Sequence, residues 1–423
     1  MRSVKAEELP EDPPGSPGDS RLDCAGQTYL ERLGVLYMEQ VRVTIVTELS
    51  MREMGVQQFY ETIGGSSYDS VRRHFLKLVE YGWLRKVRTV ATGRGRPEAL
   101  YRSTELAVID TETWSRIPFS IRDAFTVQLL LEMGSRLGEA LEHGLADIKT
   151  DPVAAFRTIE LDEVAWCKAY GAVERCFQSL LQEQIDAKIR LEHSAEQPLL
   201  MVVNLAAFEA PADKSGAEIS SRLPKADETS PASLWPNRIG KVFTDRLDLA
   251  IVDKLNSASM TAAELQAKLG GADTQGFLRR CKRLTELGWA VNISTETGGP
   301  LHGANVYHFR AAAPNVSGSD IYNRVPAGAR NGPNWAAFRP FIATSIAAIE
   351  AGTFNNRLDR HLTMSPLLVD EIGWKQVTKA LRRFEQTLHH LGSLARRDGD
   401  RKGNFRAAFF LSGFHSPFRE ASK

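Results

Sequence analysis

The feature that most constrains this chain is that it repeats itself. At a constant offset of 206, Gly34 to Trp83 aligns without a gap with Gly240 to Trp289. Twelve of the 50 aligned positions are identical in the two copies: Gly34, Ile45, Val46, Leu49, Met54, Gly64, Gly65, Arg73, Leu78, Glu80, Gly82 and Trp83. Further on, an offset of 208 pairs Glu142, Gly144, Asp151, Asp162, Glu163 and Trp166 with Glu350, Gly352, Asp359, Asp370, Glu371 and Trp374. The offset returns to 206 where Phe208 and Pro211 meet Phe414 and Pro417. Collinear matches through both halves are hard to produce by chance, and a repeat of this length decides the fold class before any local reading does. The 423 residues are therefore an internal duplication.

One half can be read for both. Leu36, Val41, Ile45, Val46 and Leu49 fall on one helical stripe, and Val56, Phe59 and Ile63 on a second. Gly64-Gly65 breaks that helix. Ser66 and Ser67 are N-cap residues for a third, with Val71, Phe75 and Leu78 facing inward and Gly82 ending it. Leu84 to Ala91 and Ala99 to Ser103 then read as strands around a Thr-Gly-Arg-Gly-Arg-Pro tip. Three helices followed by a two-stranded ribbon make a winged helix. In the back half, Trp374, Val377, Leu381, Phe384, Leu388 and Leu391 recur at coiled-coil spacing, as do Trp166, Tyr170, Val173, Phe177 and Leu180. Leu199 to Phe208 and Phe405 to Phe414 read as closing strands.

The expected fold is mainly α with a small β part (α+β): tandem winged helix-turn-helix domains, each followed by a long helix and a closing strand. The expected boundaries are 1–27, a disordered tail; 28–104, the first winged helix; 105–210, its accessory module; 211–236, a proline-rich linker; 237–311, the second winged helix; and 312–418, the second module. The two seams are expected to pair with each other, so that the fused chain is a pseudo-dimer.

Composition excludes several classes. Hydrophobic residues are 43% and charged residues 25%, ordinary for a globular chain. Cys24, Cys167, Cys176 and Cys281 have no repeated spacing, which fits a reducing cytoplasm. No apolar run is long enough for a membrane span. A P-loop, a G-x-S-x-G elbow, an H-E-x-x-H pair and a dinucleotide fingerprint are all lacking, so no enzyme, no catalytic residue and no cofactor are expected. Cys167 and Cys176, nine apart, would lie on opposite sides of a helix and could not share an ion, so no metal is expected either.

Charge is informative only locally, because the net charge is +1. Ser67 to Arg102 holds nine bases (Arg72, Arg73, Lys77, Arg85, Lys86, Arg88, Arg94, Arg96, Arg102) against three acids, a net of +6. Interleaved with core positions, Arg72 and Arg73 must project outward, with Tyr68 and Ser70 near the helix start. A duplex needs such a helix, narrow enough for the major groove and with its first residues at base edges. The tip Arg94-Gly95-Arg96-Pro97 has the core sequence of an AT-hook, suited to a narrow minor groove. The expected DNA-binding residues are Ser67, Tyr68, Ser70, Arg72, Arg73, His74, Lys77, Arg88, Arg94 and Arg96.

The run Ser67-Tyr-Asp-Ser-Val-Arg-Arg-His-Phe-Leu-Lys-Leu-Val-Glu-Tyr-Gly-Trp resembles the recognition helix of arsenic-repressor-type (ArsR-like) winged-helix regulators, and Gly93-Arg-Gly-Arg-Pro-Glu-Ala-Leu-Tyr-Arg resembles their wing. Ala348 to Phe354, Asp359 to Leu362 and Leu368 to Trp374 look like a helical module that follows such domains in actinobacterial helix-turn-helix proteins. By that likeness Arg72, Arg73 and His74 match the DNA-contacting stretch, and Arg94 and Arg96 the wing. The resemblance implies a sequence-specific transcriptional regulator of double-stranded DNA.

The second copy departs from this pattern. Asp273 to Arg310 has five bases and three acids, its wing lacks a tip arginine, and Gly276 stands where the first copy has Ser70. Weaker or absent DNA contact is expected there. A small-molecule effector between the seam helices, at Trp166, Tyr170, Trp374 and Phe384, and a second copy of the chain are the other partners admitted. A protein-interaction scaffold is the alternative reading, and Asp359-Arg360-His361 reads as a satisfied structural network.

Overall fold

In the computed structural model, residues 29–63, 67–90, 97–104, 109, 111–146, 153–211, 235–271, 273–293, 307–312, 332–398 and 404–417 are described. The tail expected to be disordered, most of the stretch read as linker and both expected wing tips fall outside them. The first half runs α1 (Tyr29–Tyr37), α2 (Gln40–Met51), α3 (Val56–Ile63), α4 (Tyr68–Glu80), β1 (Leu84–Val90), β2 (Glu98–Ser103), α5 (Thr111–Arg116), α6 (Phe119–Glu142), β3 (Val153–Leu161), α7 (Glu163–Glu192) and β4 (Leu199–Glu209). The second runs α8 (Trp235–Phe243), α9 (Arg246–Ser257), β5 (Met260–Thr261), α10 (Ala262–Leu269), α11 (Thr274–Glu286), β6 (Ala290–Asn292), β7 (His308–Ala311), α12 (Pro333–Glu350), β8 (His361–Val369), α13 (Glu371–Asp398) and β9 (Phe405–His415). The fold is mixed α and β, and apart from α5 and β5 the element order repeats at the offsets seen in the sequence.

The front units explain most of the shared residues. Trp83 and Trp289 are fully buried. The indole of Trp83 donates to the carbonyl of Arg32 at 3.0 Å, and that of Trp289 to the carbonyl of Arg238 at 3.1 Å. Gly82 and Gly288 end their helices at φ +69° and +78°, a backbone conformation that a side chain would strain. Met54 bridges to Tyr101 in the first unit as Met260 pairs with Phe309 in the second. In each unit Phe59 or Leu265 and Phe75 or Cys281 close the core.

Three expectations are corrected. The stripe from Leu36 to Leu49 is not one helix: the chain turns at Met38 and Glu39, so Leu36 belongs to α1 and Val41 to α2. The turn leaves α1 free to pack on its own repeat, α8, while α2 stays with α4. The back of each half also holds more than one long helix and one closing strand. It carries α6 or α12, then a β-α-β run, and His361 to Val369 is strand rather than part of a helical module. The second unit opens at Trp235, inside the stretch read as linker.

The back elements interlock. Four strands form one antiparallel sheet in the order β3-β9-β4-β8, so strands of the two halves alternate. The edge pairing Val153 with Gly413 becomes, after the repeat offsets, His361 with Ala207, which is the register seen at the other edge. In the central pair Leu205 faces its own repeat, Leu411, marking a pseudo-two-fold axis. Helices α7 and α13 cover one face of this sheet with Trp166, Val173, Leu180, Trp374, Leu381 and Leu388. The last turn of α7 reaches the start of α13, where Arg190 grips Asp370 at 2.6 and 2.8 Å. The seams are thus paired within one chain. The other face packs on α6 and α12, with Phe341 stacked on Phe410 and Phe208 on Phe354, each at 4.1 Å.

The axis continues through the front. Helices α1 and α8 cross at their equivalent glycines. A Cβ on Gly34 would lie 2.7 Å from Phe243 Cβ, and one on Gly240 would lie 2.3 Å from Met38 Cα. Glycine is required here by backbone approach rather than by φ. The two front units therefore flank one axis, and α4 and α11 are repeats of each other about it.

Candidate nucleic-acid interface

Helix α4 starts where Ser67 Oγ accepts the amide of Ser70 at 3.1 Å, an N-cap that satisfies one of the free donors of the first turn. Val71, Phe75 and Leu78 are buried at 4 and 3 spacing, which turns the intervening residues out. Arg72 and Arg73 are exposed. Arg73 Nε reaches only the carbonyl of Asp69, at 3.4 Å, and the guanidinium of Arg72 has no partner among the described residues. Tyr68 is 39% exposed, with its ring edge-on to Tyr60 at 6.3 Å.

The remaining expected residues divide. Lys77 pairs with Glu80 at 3.1 Å and lies 4.6 Å over the Tyr81 ring, so its charge is partly answered within its own helix. Arg88 is exposed but donates to Glu53 at 3.0 Å. His74 does not stand on the outer face with Arg72 and Arg73. It is half-buried against α2, where Arg42 Nε donates to its Nδ1 at 3.2 Å. Burial, then the charge of Arg42, holds its pKa below the ordinary histidine value. Arg94 and Arg96 lie outside the described residues.

The ribbon stands beside α4, joined to it where Tyr101 meets Phe75 edge-on at 5.5 Å. Residues 85–89 of β1 are exposed on both faces, so this strand supports no core beyond Leu84. Arg85 lies directly across from Arg102. Like charges opposite each other weaken a strand pair, and no described acid sits between them. Arg72 and Arg73 on α4 and Arg85, Lys86 and Arg102 on the ribbon thus have no acid partner among the described residues. Leu76 and Val79 are exposed on the same helix.

The second copy places bases on α11 and pairs its three arginines with acids of its own. Arg279 pairs with Asp273 at 3.1 Å. Arg280 bonds Asp245 and, at 2.8 Å, Asp248. Arg283 bonds Asp248, and Asp245 at 3.4 Å. Burial would raise the Asp245 carboxyl, but the hydrogen bond and charge of Arg280 with two backbone amides hold it below the usual carboxylate range. Lys282 lies 5.0 Å over the Tyr307 ring. Asp245 and Asp248 lie upstream of the run of bases that marks α11, so the local charge pattern does not show them. They were visible at the repeat offset, where Asp248 aligns with Arg42 and Arg280 with His74.

Elsewhere, Trp166, Trp374 and Phe384 are buried in the seam core, and the Trp166 indole donates to Asp359 at 2.7 Å. His361 touches Glu174 at 3.4 Å and Thr363 at 3.1 Å, and Arg360 stacks 3.9 Å over Trp114. Cys167 is exposed, while Cys176 and Cys281 are buried and their thiols pushed up to about 12 by that burial. Among the described residues no three His, Cys, Asp or Glu side chains gather to hold a metal ion, and no helix is long and apolar enough to cross a membrane. No family model, characterised protein or solved structure matches the chain.

Proposed function

We propose that this chain is a sequence-specific, double-stranded-DNA-binding transcriptional regulator that acts as a single-chain pseudo-dimer. Each front unit is read as a winged helix, with α4 the recognition helix for the major groove and β1–β2 the wing. The Arg94–Arg96 tip is assigned to the backbone or minor groove on its sequence alone.

One observation carries this reading. Two copies of one helix have diverged so that the first keeps exposed arginines without acid partners while the second clamps its own to Asp245, Asp248 and Asp273. Phosphate neutralisation releases counterions and dominates protein–DNA affinity, so unpaired bases beside a groove-sized helix are its basic requirement. The first copy meets it and the second does not. The exposed Leu76, Val79 and Val87 favour a second reading, in which the same face docks a protein partner.

Selection of bound sequences from a random duplex pool separates the readings. One conserved half-site is expected. Two half-sites about 10 base pairs apart would mean that both copies read DNA. No enrichment at all would leave the protein-docking reading standing.

A further inference from the structure

The contact that hides His74 has a consequence for what α4 can read. Arg42 is anchored at 2.8 Å by its Nη1 donating to the carbonyl of Val35, and its Nε donates to His74 Nδ1 at 3.2 Å. A guanidinium can only donate. His74 Nδ1 must therefore accept, and the neutral ring carries its proton on Nε2. That nitrogen faces Ser70 Oγ at 3.5 Å. The backbone amide of Ser70 is already taken by Ser67. A hydroxyl oxygen that faces an N–H donor turns its own hydrogen away from it, so the Ser70 hydrogen is left for another acceptor at the first turn of α4.

The second copy is an internal control. At the repeat offset Arg42 becomes Asp248, His74 becomes Arg280 and Ser70 becomes Gly276. The link between the two helices survives with donor and acceptor exchanged, as Arg280 donating to Asp248 at 2.8 Å. Holding the helices together thus does not require Arg42 and His74. The first copy retains something more, a hydroxyl at the helix start with a fixed direction of donation.

Resting on the DNA-binding reading above, we propose that Arg42 is a positioning residue for base readout. Acting through His74, it presents the Ser70 hydroxyl as a donor to a keto oxygen on the major-groove edge, guanine O6 or thymine O4, and against the amino groups of cytosine and adenine. The keto and amino bases differ at that position by acceptor against donor.

The test uses the full chain, the duplex selected with it, and single-base changes scanned across that duplex. The unmodified protein is expected to prefer keto over amino bases by about tenfold at one position, a discrimination within the range of a good base-edge contact. Arg42→Met and Ser70→Ala should each bring that preference to about twofold or less, with the salt slope of binding unchanged. Nitrogen-15 shifts of the His74 ring should show the Nε2–H tautomer, becoming a mixture in Arg42→Met. Ser70→Ala, a surface change, decides the matter if Arg42→Met does not fold. A preference that persists in Ser70→Ala overturns the proposal and leaves DNA binding intact. Loss of preference in Arg42→Met with the tautomer unchanged also overturns it, because Arg42 would then act only as packing. Failure of the unmodified chain to bind any duplex removes the functional reading and this inference together.

Discussion

An arginine already held by two carboxylates of its own chain has little left to offer a phosphate, and that separates α11 from α4. Arg72 and Arg73 should be the residues whose loss matters most. Replacing either with alanine is expected to weaken duplex binding and to reduce the salt slope by about 0.9 for each phosphate no longer neutralised. Lys77→Ala and Arg88→Ala should cost less, since Glu80 and Glu53 already compete for those charges. His74 gives a second test at this scale. It is faced by Arg42 and Glu39 from α2 and its N-cap and by Arg73 from its own helix; Glu39 raises its pKa, while burial and both arginines lower it. Because the folded value lies below the ordinary one, near 6.5, the unfolded chain binds more protons between the two. His74 therefore contributes stability that is present above about pH 6.5 and is lost as pH falls through the folded value. Arg42→Met should raise the His74 pKa, read by proton NMR titration.

At the scale of elements, the α1–α8 crossing and the α9–α11 clamp are the points where a small change should have a large effect. Gly240→Ala puts a Cβ against the Met38 backbone, which no side-chain rotation can relieve. It is expected to destabilise by about 1–3 kcal/mol, as overpacking does, and to loosen the front units from each other. Gly171→Ala, inside α7 with only the tip of Arg175 at 3.4 Å, should instead be neutral or stabilise by up to about 1 kcal/mol. Denaturant unfolding of both variants measures the contrast. Asp248→Ala removes the fully buried carboxylate that Arg280 and Arg283 share, leaving them only Asp245; it should lower stability by about 1–3 kcal/mol and, on the proposed function, raise the salt-dependent affinity of α11 for duplex DNA. How far the elements were legible varies for physical reasons. Helix α4 and its Ser67 cap were readable because the helix is half-exposed and shows a clean period, and the ribbon because a Gly- and Pro-rich tip separates two β-like runs. Helix α6 was not, since it is buried on nearly every side and so has no polar stripe to set its period. Strand β8 was obscured by Pro366, tolerated because β8 lies at the sheet edge. The Arg42–His74 contact needs α2 docked on α4, which no local pattern encodes; only the coupled exchange to Asp248 and Arg280 in the second copy hinted at it.

Across the whole molecule, duplication has made a two-fold assembly out of one chain and then freed its halves to differ. The alternating strands β3, β9, β4 and β8 bury both faces of the shared sheet, so neither half can leave without exposing it. Near the axis, where Leu205 meets Leu411, Asn204 donates to Ser412 at 2.9 Å, although the repeats of those two residues are Phe410 and Ala206. Symmetry is kept in the backbone and broken in the side chains. The same holds for the front units, and on the proposed function the first unit would read the site while the second sets its position. Duplex affinity as a function of salt tests this most directly, compared for the unmodified chain, the Arg72→Ala/Arg73→Ala pair and the Arg279→Ala/Arg280→Ala pair. A slope that flattens by about two units for the α4 pair and stays unchanged for the α11 pair is expected. Equal flattening for both pairs, or none for either, would contradict the assignment of DNA binding to the first copy.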